Sequence, residues 1–140
     1  MPYLDTSVLV AALTAEPETA RMQAWITAQD PDELTISPWV VTEFSAALSI
    51  KVRMGQLGTD RHETVLAVFS RLVADSFVML PTSDPVFDEA ARLADRSETG
   101  LRAGDALHLA IAAGEGLALA TLDRKLAEAG RRLGMSTMLV

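Results

Sequence analysis

Five short apolar segments, alternating with longer helical patterns, constrain this chain more than any other feature. They are Tyr3-Leu4, Leu34-Thr35-Ile36, Phe77 to Leu80, Leu117 to Ala120 and Ser136 to Val140. The first is broken by Asp5-Thr6-Ser7, after which Val8 to Leu13 reads as helix. Pro17 suits the first turn of a second helix, with Ala20, Ala24, Trp25 and Ala28 recurring at three-to-four spacing to about Gln29. Ser37-Pro38 has the cap-plus-first-turn signature of a helix to Met54, with Gly55 as its stop and Lys51 and Arg53 in its last turn. Thr59 or Asp60 caps a helix to Asp75, with Val65, Leu66, Val68, Phe69, Leu72 and Val73 on its apolar face. Further helices are expected over Ser83 to Arg96, from Gly104-Asp105 through Ala113, and from Asp123 to Leu133. Strands returned by helices pair in parallel and are covered on both faces. The expected class is therefore α/β, a central mostly parallel β-sheet flanked by α-helices on both faces. No repeat or linker interrupts the pattern, so residues 1–140 are expected to form a single domain.

Composition narrows the function. A chain of 140 residues can bury a core without staples, and with no Cys it is neither a disulfide scaffold nor a thiolate zinc site. The longest uncharged stretch, Thr6 to Ala15, is ten residues, about half of what a membrane-spanning helix needs. No basic residue precedes Arg21, so the positive start of a secretory signal is missing and a cytoplasmic location is expected. A net charge of −7 argues against coating nucleic acid by bulk electrostatics. It leaves open a nucleic-acid enzyme that works through a metal, or an acidic protein with a basic partner.

Most of the 19 acidic residues belong to first helical turns or to loops. Four do not. Asp5 is the only charged residue among the first fifteen and stands where a strand hands over to a helix. Glu43 lies within Val40, Val41, Phe44, Ala47 and Leu48, on or beside a buried stripe. Asp105 opens the apolar helix Ala106 to Ala113, and Asp123 follows the fourth strand. Each has a plain alternative: Asp5 and Asp123 as N-caps, Asp105 as a first-turn acid, Glu43 as the partner of a buried Arg. A single site explains all four at once. In parallel α/β sheets ligands bind beyond the carboxyl ends of the strands, where Asp5 and Asp123 emerge. Carboxylates without Cys suit hard cations such as Mg²⁺ or Mn²⁺. Such a cation can polarise a phosphoryl oxygen, activate water and shield an anionic substrate from the acids.

Tyr3-Leu4-Asp5-Thr6-Ser7-Val8-Leu9, Val41-Thr42-Glu43-Phe44, Gly104-Asp105-Ala106-Leu107-His108-Leu109-Ala110 and Thr121-Leu122-Asp123 resemble the four acidic motifs of PIN-domain ribonucleases. More narrowly, they resemble the toxin component of VapBC-type toxin–antitoxin pairs. Any one motif is weak; four in order, over nearly the whole chain, are specific. The resemblance implies a PIN-like fold, Mg²⁺- or Mn²⁺-dependent endonucleolytic cleavage of RNA, a homodimer, and a cognate antitoxin. It makes Asp5, Glu43, Asp105 and Asp123 the metal-site quartet, Asp5 and Asp105 as direct ligands and Glu43 and Asp123 directly or through water. Some PIN proteins carry further acids or amides near the last motif. Here Arg124 and Lys125 follow Asp123, a departure that bears on a second metal site.

Around the quartet, the hydroxyls of Thr6, Ser7 and Thr121 are candidates to orient carboxylates or water, or else to cap helices. Arg102, Arg124 and Lys125 are candidate RNA contacts, with solvated surface as the alternative. His108, on an apolar helix, reads as packed or hydrogen-bonded rather than as a general base, and Trp25 and Trp39 as core or interface. The alternative function is a non-catalytic Mg-binding α/β signalling or scaffold module. A receiver domain would show paired acids after its first strand, but the residue two beyond Asp5 is Ser7.

Overall fold

The computed structural model describes residues 1–140 throughout. Its elements follow in chain order as β1 (Pro2–Leu4), α1 (Thr6–Leu13), α2 (Thr19–Thr27), β2 (Thr35–Ile36), α3 (Pro38–Arg53), α4 (Thr59–Asp75) and β3 (Val78–Met79). Then come α5 (Asp84–Ala94), α6 (Ala103–Gly114), β4 (Ala118–Thr121), α7 (Arg124–Arg132) and β5 (Thr137–Leu139). Single 3₁₀ turns at Pro31–Glu33 and Ser97–Thr99 complete the list. No helix is long and apolar enough to cross a membrane.

The strands form one sheet in the order β3-β2-β1-β4-β5, and every pairing is parallel. The chain steps outward from β1 through β2 to β3, crosses back to β4 on the other side of β1, and steps outward again to β5. Right-handed crossovers put the returning helices of the two halves on opposite faces. α1 packs on α2 and α3, α5 packs on α6, and α7 lies against β4 and β5. Tyr3, Leu4, Ile36, Leu119 and Ala120 are fully buried in a core of 23 residues that also takes Phe44, Leu48, Leu109 and Ile111. The direction reverses between β1 and β4, whose register pairs Leu4 with Ala120. Their carboxyl ends therefore open side by side, with Asp5 and Thr121 at the mouth.

Three expectations shift. Pro17 precedes the second helix, which starts at Thr19 with Glu18 as N-cap. The cause is the Thr19 hydroxyl, which donates to the carbonyls of Ala11 and Thr14 and accepts the Glu16 amide at 2.9 Å, holding the turn from α1 open until that residue. The alanine stripe of α2 faces water; Met22 is fully buried, and Trp25 and Ile26 pack beside it on Val8, Ala11 and Ala12. Large side chains set the inward face because buried area sets the gain. At α4 neither Thr59 nor Asp60 is the cap. Gly58 precedes the helix and its carbonyl accepts the His62 amide at 2.9 Å.

Candidate active site

Asp5 follows β1 directly and is 4% exposed. As N-cap of α1 its Oδ1 accepts the Ser7 amide at 3.0 Å. That oxygen also accepts the Ser7 hydroxyl at 2.5 Å, and Oδ2 accepts the Thr121 hydroxyl at 2.5 Å. Both hydroxyls are themselves fixed by the β4–α7 connection: Leu122 N–H donates to Ser7 Oγ at 3.1 Å and Asp123 N–H to Thr121 Oγ1 at 2.9 Å. Ser7 and Thr121 thus lace the ends of β1 and β4 together through one carboxylate. Burial pushes the Asp5 carboxyl above its ordinary value, against the opposing charge of His108 when protonated and the hydrogen bonds from Ser7, Thr121 and the Val8 amide.

Glu43 projects from the second turn of α3. Its Oε1 accepts the Thr6 hydroxyl at 2.7 Å and a short hydrogen bond from His108 Nε2. Burial works to raise this carboxyl, but the His108 hydrogen bond, the charge of that imidazole when protonated and the Thr6 hydrogen bond outweigh it and hold the group below its ordinary value. The partner of Glu43 is thus His108, not a buried Arg. His108 is 3% exposed, and its Nδ1 lies 3.0 Å from Tyr3 Oη, which in turn lies 2.8 Å from Ser37 Oγ, the N-cap of α3. No sequence pattern announces this chain of contacts, because its members are 34 and 105 residues apart.

Asp105, half-buried in the first turn of α6, accepts the Arg102 amide through Oδ2 at 3.2 Å. Gly104 beside it gives α6 room: an added Cβ would stand 3.1 Å from Glu43 Oε2 and 3.3 Å from Trp39 Cζ2. Trp39, read as core or interface, is half-buried at this junction, and its indole Nε1 is a buried donor with no partner. Asp123, exposed, is the N-cap of α7, its Oδ1 accepting the amides of Lys125 at 2.9 Å and Leu126 at 3.2 Å.

The four acids surround the carboxyl ends of β1 and β4 without closing into a cage. No group of three or more Asp, Glu or His side chains is arranged to hold one ion. Asp105 and Asp123 line a groove of about 540 Å³ with Arg102, Lys125 and Arg132. Glu43 lines a second hollow with Thr6, Ser7 and Leu122. Asp5 connects to the first through Thr121 and to the second through Ser7. Repulsion among carboxylates favours this spread. Arg124 turns to a different cleft, with Glu18, Arg21 and Val140. Arg132 is the groove cation that the sequence reading missed; its spacing of seven from Lys125, which brings it to the same helix face, was the available signal.

The donor set fits a hard divalent cation. Every candidate ligand is an oxygen, and Asp5 is a buried carboxylate whose hydrogen-bond donors are hydroxyls and backbone amides, none of them cationic. Glu43 Oε2, Asp105 Oδ1 and Asp123 Oδ2 lie outside the hydrogen bonds given above. Mg²⁺ usually takes one or two carboxylates and keeps several waters, so it does not require an all-protein cage.

The chain is similar to known proteins in sequence and in fold. The family model described as the PIN domain matches residues 3–132. Ribonuclease VapC47 of Mycobacterium tuberculosis is 32% identical over 141 residues, covering 98% of this chain and 95% of that protein. The solved structure of VapBC-5 from Mycobacterium tuberculosis, a member of the VapBC family of toxin–antitoxin systems, superposes with a TM-score of 0.63 at 25% identity, over 99% of this chain and 98% of that one. VapC20 of the same organism, a toxin that cleaves the sarcin–ricin loop, shares the fold with a TM-score of 0.75 at 16% identity, over 93% and 95% of the two chains.

Proposed function

The chain belongs to the PIN-domain family, and from that premise we propose that it is a metal-dependent endoribonuclease, the toxin of a type II toxin–antitoxin pair. The observation that carries this reading is Asp5: a buried carboxylate at the switch point of a parallel sheet, held by Ser7 and Thr121, with Glu43 bonded to the adjoining Thr6 and the Asp123 amide to Thr121. Expensive burial of a charge at that place is what a cation site requires and what a structural cap does not. Mg²⁺ or Mn²⁺, when bound, supplies a Lewis acid for the scissile phosphate and lowers the pKa of water.

The chain's own residues do the rest. Asp5 and Asp105 would hold the cation directly and Glu43 and Asp123 directly or through its waters, with Ser7 and Thr121 fixing Asp5 and Thr6 fixing Glu43. Arg102, Lys125 and Arg132 line the groove that runs from Asp105 and Asp123, where they hold the RNA backbone by its phosphates. The acids repel a phosphodiester until they are neutralised, so RNA binding at the groove would require the cation. Arg124 serves the same RNA from the outer side of α7. Residues 1–140 act as one PIN-like domain, in the cytoplasm, as a homodimer whose cognate antitoxin binds it; the likeness to VapBC-5 and to ribonuclease VapC47 supports the partner and the substrate class.

The test is cleavage of a mixed RNA panel by purified protein freed of any partner. Cleavage with Mg²⁺ or Mn²⁺ that stops in EDTA supports the enzyme; a folded, metal-binding protein that leaves every RNA intact points either to a narrowly chosen RNA outside the panel or to the signalling or scaffold module.

A further inference from the structure

The side chains of Ser37, Tyr3, His108 and Glu43 form one continuous line of hydrogen bonds that begins and ends on the same helix. Val40 N–H donates to Ser37 Oγ at 3.4 Å, Ser37 Oγ lies 2.8 Å from Tyr3 Oη, Tyr3 Oη lies 3.0 Å from His108 Nδ1, and His108 Nε2 bonds Glu43 Oε1. Ser37, Tyr3 and His108 are all buried, so each proton needs an acceptor within the protein. The Ser37 hydroxyl has one, Tyr3 Oη. Tyr3 then donates onward to His108 Nδ1, and the ring carries its proton on Nε2, facing Glu43. The opposite direction would strand the Ser37 hydroxyl hydrogen. The Tyr3 and His108 rings also touch, with centroids 5.8 Å apart, so the imidazole is held by packing as well as by hydrogen bonds.

This arrangement treats the two oxygens of Glu43 differently. Oε1 takes both donors, His108 Nε2 and the Thr6 hydroxyl. Oε2 stays outside these bonds, near the bare Cα of Gly104 at the start of the helix that carries Asp105. A half-exposed Glu on an ordinary helix samples several rotamers; here one is selected, at no cost in solvent-exposed charge pairing. We propose that His108 is a positioning residue for Glu43, oriented by Tyr3 and Ser37 so that Glu43 presents Oε2 to the cation site. The proposal rests on the reading that Glu43 belongs to that site. His108 touches neither substrate nor cation; it acts through the carboxylate, which gives a buried histidine on an apolar helix a task that packing alone would not require.

The experiment is a double-mutant cycle read by calorimetric titration with Mn²⁺ alone, on Glu43→Gln, His108→Gln and the pair, with cleavage of the RNA panel measured in parallel. His108→Gln is expected to weaken Mn²⁺ binding about 10- to 100-fold, the range for partners of metal ligands, and to lower kcat rather than raise KM. In the Glu43→Gln background the same substitution is expected to change Mn²⁺ affinity no further, which a merely structural histidine would not produce. Tyr3→Phe, which keeps the ring, is expected to give a smaller loss of the same kind and stands in for His108→Gln in the cycle if that variant does not fold. Wild-type Mn²⁺ affinity in folded His108→Gln or Tyr3→Phe, beside a Glu43→Gln that has lost it, overturns the positioning role and leaves the site intact. Wild-type affinity and cleavage in Glu43→Gln overturns the reading of the site itself, and the proposal with it.

Discussion

At the scale of the residue, the account turns on a carboxylate that folding alone would not choose. Asp5 is buried among hydroxyls and an amide, and burial raises its pKa. A raised folded value means that the folded protein holds the proton more tightly than the unfolded chain. The group's contribution to stability is then present in acid and is lost as pH rises through the folded value. Glu43 runs the other way: its value is lowered, so its contribution is present above the ordinary carboxylate range and is lost as pH falls through the folded value. In metal-free protein, Asp5→Asn is therefore expected to melt like wild type near about pH 4 and higher than wild type, by a few degrees, at neutral pH. Melting curves in EDTA across that range check it; a variant less stable at neutral pH would mean that Asp5 is a structural cap. That Asp5 stands alone among apolar residues was legible in the sequence. The hydroxyls that hold it were legible only as neighbours, since the Thr121 bond spans 116 positions.

At the scale of the element, chain order and helix signals carry most of the fold. Ser37-Pro38 starts α3, Gly55 with φ of 71° follows its end, and Asp123 caps α7, all as composition and spacing suggest. One failure has a plain cause, that local signals do not know what lies across the core. The alanine stripe of α2 is regular in sequence and exposed in space, because Met22, Trp25 and Ile26 bury more area against α1. A glycine in α7 tells the same story from the other side. Gly130 reads as a weak point in a helix, yet a Cβ there would sit 2.4 Å from Thr137 Cγ2 and 2.9 Å from Leu109 Cδ2. α7 reaches β5 and α6 only because that atom is absent. Gly130→Ala gains about 1 kcal/mol of helix propensity but overpacks the junction at a cost of about 1–3 kcal/mol, and is expected to destabilise by up to about 2 kcal/mol net. Denaturant midpoints at unchanged m-value would measure this, and a more stable variant would show that α7 can move off the sheet freely.

At the scale of the whole molecule, an acidic protein of net charge −7 would meet the proposed polyanionic substrate with few cations, and their placement decides how. Arg102 and Lys125 stand at the groove of Asp105 and Asp123, joined by Arg132, which also pairs with Glu128 at 2.8 Å. Contacts to phosphates away from the scissile bond are made equally in ground and transition states. Arg102→Ala and Lys125→Ala are thus each expected to raise KM several-fold with kcat little changed, whereas Arg92→Ala, whose partner is Glu89 on α5, should change neither. Steady-state kinetics on one cleaved RNA separates the three. The sequence could place acids at strand ends and cations after them, since both follow from order along the chain. It could not separate Arg124 from Lys125, because neighbours on a helix point to different clefts only once α7 is docked. The central claim is that one buried carboxylate, unfavourable to the fold, is kept for a cation and for RNA cleavage. Its most direct test is Asp5→Asn and wild type, prepared together, each assayed for RNA cleavage with Mn²⁺ and for the rise in Tm on adding Mn²⁺. Saturating metal at about 100 times its Kd stabilises a binding protein by about 2.7 kcal/mol. The account predicts that wild type cleaves and gains Tm while the folded variant does neither; equal cleavage and an equal Tm gain in the variant would contradict it.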